Sequence, residues 1–294
     1  MTYSKKKFSL DRPLIVIGAG RSGTTMVRHA LMQHREVASF EFEMNPLWKY
    51  GNEHINHDML NVSDNYSGKA ANYIQKAFIS KSLKSQKPRV LDKTVANVMR
   101  LAYIQKVLPD AKVLHIIRDG RSVSASAIAR WSTKHPASYF LKKLKTVPIR
   151  SLPRLSLEVI SSKFSTILQN KNYRQTWGSR WPGIDDDVAK LPLASLCAKQ
   201  WVMQVETALC QKNQLRPNSY LEIRYEDLVL EPKKVFAEIS SFFELSFDQK
   251  LNDWVSATID NSRTEKWREY LDEEQLKLVL EQSSDLLGRL GYLR

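Results

Sequence analysis

Cysteine is scarce in this 294-residue chain: only Cys197 and Cys210 occur. Both fall in a stretch with helical periodicity, where 13 steps at about 1.5 Å set them roughly 20 Å apart. A disulfide needs Cα atoms within about 7 Å, so bridging them would break that helix. A disulfide-stapled fold is excluded, and no CxxC spacing offers a metal clasp. The six histidines make no HExxH or paired ligand set, so no metal site is expected. No apolar run approaches the roughly 18 residues of a membrane span. Lys5-Lys6-Lys7 followed by Leu14-Ile15-Val16-Ile17 imitates a secretory signal, but the apolar stretch is short and runs into Gly18-Ala19-Gly20-Arg21. A buried first strand is expected there, and a cytoplasmic location.

Acidic residues are scarce in one place. From Arg130 to Trp181 there are eleven Lys or Arg against one acid, Glu158. That segment is net +10, leaving only +4 of the chain's +14 for everything else. A uniformly basic nucleic-acid coat is therefore excluded, because one segment carries the excess. With 43% hydrophobic and 26% charged residues, the chain is a folded protein with ample material for a core.

Strands alternate with helices. Leu14–Gly18 is a short apolar run ending in glycine, as a central parallel strand requires. A helix is expected over 24–34, short strands over 37–40 and 89–92, and a helix over 97–108 stopped by Pro109. Lys112–Ile117 is a further strand, followed by a helix over 123–131. Later come a helix over 193–211, a strand over 220–224, a helix with Pro232 in its first turn, and a last helix capped by Asp272 and ending near Gly288. This alternation predicts an α/β fold, a central parallel sheet flanked by helices. Residues 132–191 break the rhythm, with Pro136, Pro148, Pro153 and Pro182, and are expected to be an insertion within one domain spanning 1–294.

Two loops are suited to phosphate. Gly18-Ala19-Gly20-Arg21-Ser22-Gly23-Thr24-Thr25 joins a strand to a helix, where backbone N–H groups and the positive helix end face an anion. Gly18 to Gly23 keeps the spacing of GxxxxGK[ST], with Thr25 in the last place, but Thr24 stands where the lysine belongs. Arg21 supplies a planar cation inside the loop instead. Arg118-Asp119-Gly120-Arg121 ends the second strong strand, with Ser126 two turns along the next helix and Arg130 one turn further. Ligands of open α/β sheets bind outside such strand ends, so Arg118 and Ser126 are candidates for a second, separate phosphate. Taken alone, the first loop has an ordinary tight turn as its alternative, and the second reads equally as a solvated basic corner with an N-cap serine.

Together these segments resemble the sulfotransferase family, nearest to its bacterial, glycan and tyrosylprotein branch. Gly20-Arg21-Ser22-Gly23-Thr24-Thr25 is similar to the family's 5′-phosphosulfate loop, and Arg118 to Ser126 to its 3′-phosphate site. Arg224-Tyr225-Glu226-Asp227-Leu228 before Pro232, and the tail Lys266-Trp267-Arg268, also resemble it. The resemblance implies the P-loop-like sulfotransferase fold and a donor, 3′-phosphoadenosine 5′-phosphosulfate (PAPS), used without metal. It carries over Arg118, Ser126, Arg130, Tyr225 and, more loosely, Lys266 to the nucleoside end. Lys93, ending the strand Leu91-Asp92-Lys93, falls where the family places a catalytic lysine; Arg21 is expected to assist it at the transferring group. The small-molecule branch has a histidine two residues on, and Val95 stands there here. The tyrosylprotein-like branch implies a glutamate base after the first helix, at Glu41, with Glu43 on the same face as the second choice.

The expected activity is sulfuryl transfer to a hydroxyl or amine of an unidentified acceptor. Two rivals stand beside it: a P-loop kinase or NTPase, against which the missing lysine counts, and a non-catalytic binder of anionic polymer or membrane surface. The basic insertion, including Phe140-Leu141-Lys142-Lys143-Leu144-Lys145, is expected to face the acceptor and to favour an acidic sugar, lipid or peptide, or an anionic membrane surface. A solvated basic face accounts for it equally well.

Overall fold

The apolar strand runs pair into one sheet. The computed structural model describes residues 10–131, 178–246, 248–259, 265 and 267–293. Five strands, β1 (Leu14–Gly18), β2 (Val37–Ser39), β3 (Arg89–Asp92), β4 (Lys112–Ile117) and β5 (Tyr220–Arg224), lie in the order β2-β3-β1-β4-β5. Every pairing is parallel, with Leu14 opposite Leu91 on one side and Lys112 on the other. The expected fold class is therefore the observed one.

Side-chain alternation explains why β1 is apolar throughout. Ile15 and Ile17 enter the core on one face, while Leu14 and Val16 enter the core on the opposite face. Helices cover both faces, as a parallel sheet demands. On one side α1 (Thr24–Leu31) contributes Val27, Ala30 and Leu31. On the other, α2 (Gly68–Ser85) contributes Ile74 and Phe78, and α3 (Leu101–Val107) contributes Tyr103, Ile104 and Val107. Ser67 caps α2 by accepting from the Ala70 N–H. Downstream of β4 lie α4 (Gly120–Trp131) and α5 (Leu193–Lys212). Then follow α6 (Tyr225–Leu230), α7 (Pro232–Phe242), α8 (Gln249–Thr258) and α9 (Glu273–Arg289).

The differences from the sequence expectation are local. The helix expected over 97–108 is a 3-10 turn, Val95–Met99, followed by α3. Between them Arg100 leaves helical geometry (φ −150°, ψ 41°), and its guanidinium is buried against Asn97 and Asn45. Helix α4 starts at Gly120, earlier than expected: Asp119 accepts from the Arg121 N–H at 2.8 Å through Oδ1 and from the Val123 N–H at 3.0 Å through its carbonyl, while Gly120 packs on Trp201, where a Cβ would lie 2.6 Å from the indole. Residues 132–177 of the expected insertion lie outside the described residues. Its end is described: Trp181 and Ile184 are buried in the core, and Ile184–Lys190 is a helix.

The topology positions the site. Strand β1 connects to one side of the sheet and β4 to the other, so the strand order reverses between them. The loops after β1 and β4 therefore open on the same crevice, the place where such sheets bind ligands.

Candidate functional site

The loop after β1 is shaped by what it touches. At Gly18 a Cβ would lie 2.6 Å from the Ile116 carbonyl oxygen of β4, so only glycine admits this close passage. Gly23 has φ 87°, and a Cβ there would lie 2.6 Å from the Tyr225 ring. The Gly20 N–H donates to Gln204 Oε1 at 3.2 Å, anchoring the loop to α5. No side chain caps α1, so its first N–H groups face the crevice. Ser22 is fully buried, and its hydroxyl has no hydrogen-bond partner. A buried orphan hydroxyl beside an uncapped helix start fits an anionic oxygen.

The second loop meets the first directly. Arg118 donates from Nη1 to the Arg21 carbonyl at 3.0 Å, and its guanidinium lies 4.1 Å from the centre of the Tyr225 ring. Arg21 donates from Nε to the Ser126 hydroxyl at 2.9 Å. Burial, and then the charges of Arg130 and Arg118, push the Arg21 guanidinium below its ordinary range. Three guanidiniums thus converge on one crevice, an arrangement that a bound polyanion relieves. The two loops, linked through Arg21, form one continuous cationic wall. Tyr225 is buried at 6% exposure, a platform under Gly23 and Arg118. Ser124 on α4 adds a second fully buried hydroxyl without a partner.

Arg121, in the same sequence segment, does not join this wall. It pairs with the buried Asp119 at 2.7 Å and stacks over Trp267 at 4.2 Å. Trp201 packs in the core and donates from Nε1 to the Arg118 carbonyl at 3.1 Å. Lys266 lies outside the described residues.

At the end of β3, Lys93 is 8% exposed, and its Nζ meets Glu43 Oε1 at 2.7 Å. The other oxygen of Glu43 accepts from the Val95 N–H at 3.3 Å. Glu41 is exposed; its carbonyl accepts from Arg28 Nη1 at 3.0 Å. The structure thus brings Glu43, the second choice of the sequence reading, to Lys93. Beneath the pair, Asp92 is fully buried and accepts from Trp48 Nε1 (2.7 Å), Thr94 Oγ1 (2.8 Å) and Asn97 Nδ2 (2.8 Å). Burial pushes its carboxyl above the usual range, and the three hydrogen bonds work against that rise.

Sequence reasoning missed His29. It lies on α1 one turn after Thr25, and its Nε2 accepts from Arg28 Nη2 at 3.3 Å. Burial, Arg28 and Lys93 hold its imidazole below the ordinary value, which leaves it neutral at neutral pH. No motif marks it; its place on the α1 face carrying Thr25 and Arg28 was the available signal.

Among the described residues no cluster of His, Cys, Asp or Glu is arranged to hold a metal ion, and no helix is long and apolar enough to cross a membrane.

Comparisons with known proteins bear on this crevice. Over 135 residues the chain is 30% identical to protein-tyrosine sulfotransferase 1 of Danio rerio, covering 42% of this chain and 37% of that protein. Over 256 residues it is 22% identical to protein-tyrosine sulfotransferase A of Caenorhabditis elegans, covering 83% of this chain and 53% of that protein. The chain thus spans about half or less of the curated relatives it matches. Its fold is similar to that of the sulfotransferase domain from the curacin biosynthetic pathway, with a TM-score of 0.51 at 17% identity over 94% of this chain and 98% of that one. A profile of the Sulfotransferase family matches residues 13–155 and 157–249, which include both phosphate loops, Glu43 and Lys93. By that match this chain belongs to the Sulfotransferase family.

Proposed function

We propose that the chain transfers a sulfuryl group from PAPS to a hydroxyl or amine of an acceptor, without a metal. One observation carries this reading: a cationic wall built from Arg21, Arg118 and Arg130 stands on the loops after β1 and β4, and at the end of the neighbouring strand β3 the buried Lys93 pairs with the half-exposed Glu43. The loop from Gly20 to Thr25 would hold the 5′-phosphosulfate, its backbone N–H groups and the Ser22 hydroxyl serving as donors. Arg118, Ser126 and Arg130 would hold the 3′-phosphate, with Tyr225 seating Arg118 from below. The donor, when bound, supplies an activated sulfuryl group with an adenosine bisphosphate as leaving group.

Arg21 and Lys93 then stabilise charge that grows in the transition state, where fixed cations in a water-poor site act most strongly. Glu43 takes the acceptor proton; its contact with Lys93 favours it over Glu41 as base. A base within reach of both acceptor and cation is what proton removal during transfer needs.

The relatives named protein-tyrosine sulfotransferases make a tyrosine phenol the first acceptor to test. The net +10 segment from Arg130 to Trp181 favours an acidic context around it. A cytoplasmic site of action belongs to this proposal too.

Calorimetry tests the donor reading. Adenosine 3′,5′-bisphosphate should bind in the presence of EDTA, and ATP should gain no affinity from magnesium. Magnesium-dependent ATP binding without bisphosphate binding would instead establish the kinase or NTPase. A screen of acidic tyrosine peptides against sugar and lipid acceptors with labelled PAPS then finds the acceptor class. For an acidic acceptor KM rises with salt, and a salt-insensitive KM rejects the role given to the basic segment.

A further inference from the structure

Segment 92–95 touches the stretch 43–45 at three points. Lys93 Nζ meets Glu43 Oε1 at 2.7 Å, and the Val95 N–H reaches Glu43 Oε2 at 3.3 Å. The third contact is backbone to side chain: the Met44 N–H donates to Thr94 Oγ1 at 2.8 Å. Thr94 is fully buried, and its own hydroxyl proton goes to Asp92 Oδ1 at 2.8 Å. A hydroxyl has one proton to give. Committing it to Asp92 turns the oxygen lone pairs toward Met44, the residue next to Glu43.

Asp92 is itself fixed. Its second oxygen accepts from Trp48 and Asn97, so all three neighbouring side-chain groups donate to it, the pattern that suits an ionised carboxylate. Asn97 Oδ1 accepts from Arg100 Nε at 3.1 Å, and Arg100 also donates from Nη2 to Asn45 Oδ1. The network thus grips the 43–45 stretch at Met44 through Thr94 and at Asn45 through Arg100. Trp48, Asp92, Asn97 and Arg100 are all buried. None of these groups is needed by the donor crevice, and their joint effect is to set one turn of backbone against the end of β3.

We propose that Thr94 is a positioning residue: its hydroxyl, oriented by Asp92, holds the Met44 N–H and thereby keeps Glu43 on Lys93. The proposal rests on the reading of Lys93 and Glu43 as the reacting pair, but the contact it explains is independent of any acceptor.

The test follows Lys93 directly. In protein labelled with 15N-lysine, the side-chain Nζ signal of Lys93 is assigned by its loss in Lys93→Met. Glu43→Gln removes the partner and defines the uncoupled position of that signal. Thr94→Val keeps the shape and removes the hydroxyl; it is expected to move the signal toward the Glu43→Gln position. Thr94→Ser restores the hydroxyl and should return the signal to its wild-type position. In Thr94→Val and Thr94→Ser adenosine 3′,5′-bisphosphate should bind within about 2-fold of wild type, since separate sites add independently. A Thr94→Val signal at the wild-type position overturns the proposal. So does loss of bisphosphate binding in Thr94→Val that Thr94→Ser fails to rescue, which would mark a general structural role. If Thr94→Val does not fold, Asp92→Asn replaces it: it reverses one hydrogen bond at unchanged shape and must move the same signal. Failure of the wild-type protein to bind the bisphosphate would count against the donor reading alone and leaves the lysine signal to decide this one.

Discussion

Lys93 and Glu43 meet at 2.7 Å although 50 residues separate them in the chain. Strand β3 delivers the lysine, and the segment leaving the neighbouring edge strand β2 delivers the acid. At 8% exposure the ammonium is largely withdrawn from water, so a carboxylate at this distance is its natural counter-charge. On the function proposed above, a bound donor's sulfuryl group would offer Lys93 a second anionic partner, and exchanging one for the other would free the Glu43 oxygen for a proton.

Glu43→Gln is expected to lower turnover about 100- to 10,000-fold, the usual worth of a general base. Glu41→Gln should retain turnover within about 3-fold, because that side chain is exposed and the ion pair of Lys93 is with Glu43. Steady-state rates with labelled PAPS and the acceptor found by screening decide between them. The opposite ranking would return the base to Glu41.

Arg21→Ala and Arg118→Ala should each weaken adenosine 3′,5′-bisphosphate binding about 10- to 100-fold, as loss of a charge-assisted contact does. Arg121→Ala should instead spare that affinity and destabilise the fold by about 3 kcal/mol, since the buried Asp119 loses its partner. Calorimetry and urea unfolding on the three variants separate a donor-binding arginine from a structural one.

Gly23→Ala meets two obstacles, a left-handed backbone and the Tyr225 ring 2.6 Å from the new methyl. A loss of about 2–4 kcal/mol in stability is expected, with weaker bisphosphate binding. Gly68→Ala, at the start of α2 with nothing within 4 Å of the new carbon, should be neutral or stabilising by up to about 1 kcal/mol. Equal destabilisation of the two variants would refute the role assigned to the Gly23 turn.

His115 predicts an acid-sensitive core. It is fully buried in β4, with Nδ1 2.6 Å from the Tyr220 hydroxyl, and burial pushes its imidazole down to about 3. The unfolded chain takes up a proton near pH 6.5 and the folded one does not, so between those values the unfolded state binds more protons. Stability from this group is full above pH 6.5 and falls by about 1.4 kcal/mol per pH unit as the pH drops toward 3. Urea unfolding from pH 7 to 4 should show a shallower fall in His115→Asn than in wild type.

Much of the fold is legible in the residue order. Leu14–Gly18 and Lys112–Ile117 coincide with strands because largely apolar runs of this length suit a sheet buried on both faces, and Tyr220–Arg224, which carries Glu222 and Arg224, is the less buried strand at the end of the order. The Gly18–Thr25 loop is legible because its glycines meet a local geometric demand. Helix α2 was not foreseen, although its Ser67 cap and its buried Ile74 and Phe78 are local signals. The break at Arg100 was not legible, because it depends on a buried guanidinium finding Asn45, 55 residues away.

The strand–helix alternation, the glycine-rich loop after β1, the Arg118–Ser126 segment and the family are all written in the residue order. These are local patterns of spacing, glycine and charge, and they survive without knowing what lies across the crevice. It takes the folded chain to show that Arg21 reaches across to Ser126, that Glu43 rather than Glu41 meets Lys93, and that Arg121 belongs to Asp119. Each of these choices is between chemically equivalent side chains a few residues apart. Nothing local distinguishes them, and the choice falls to backbone direction and to partners contributed by other strands and helices.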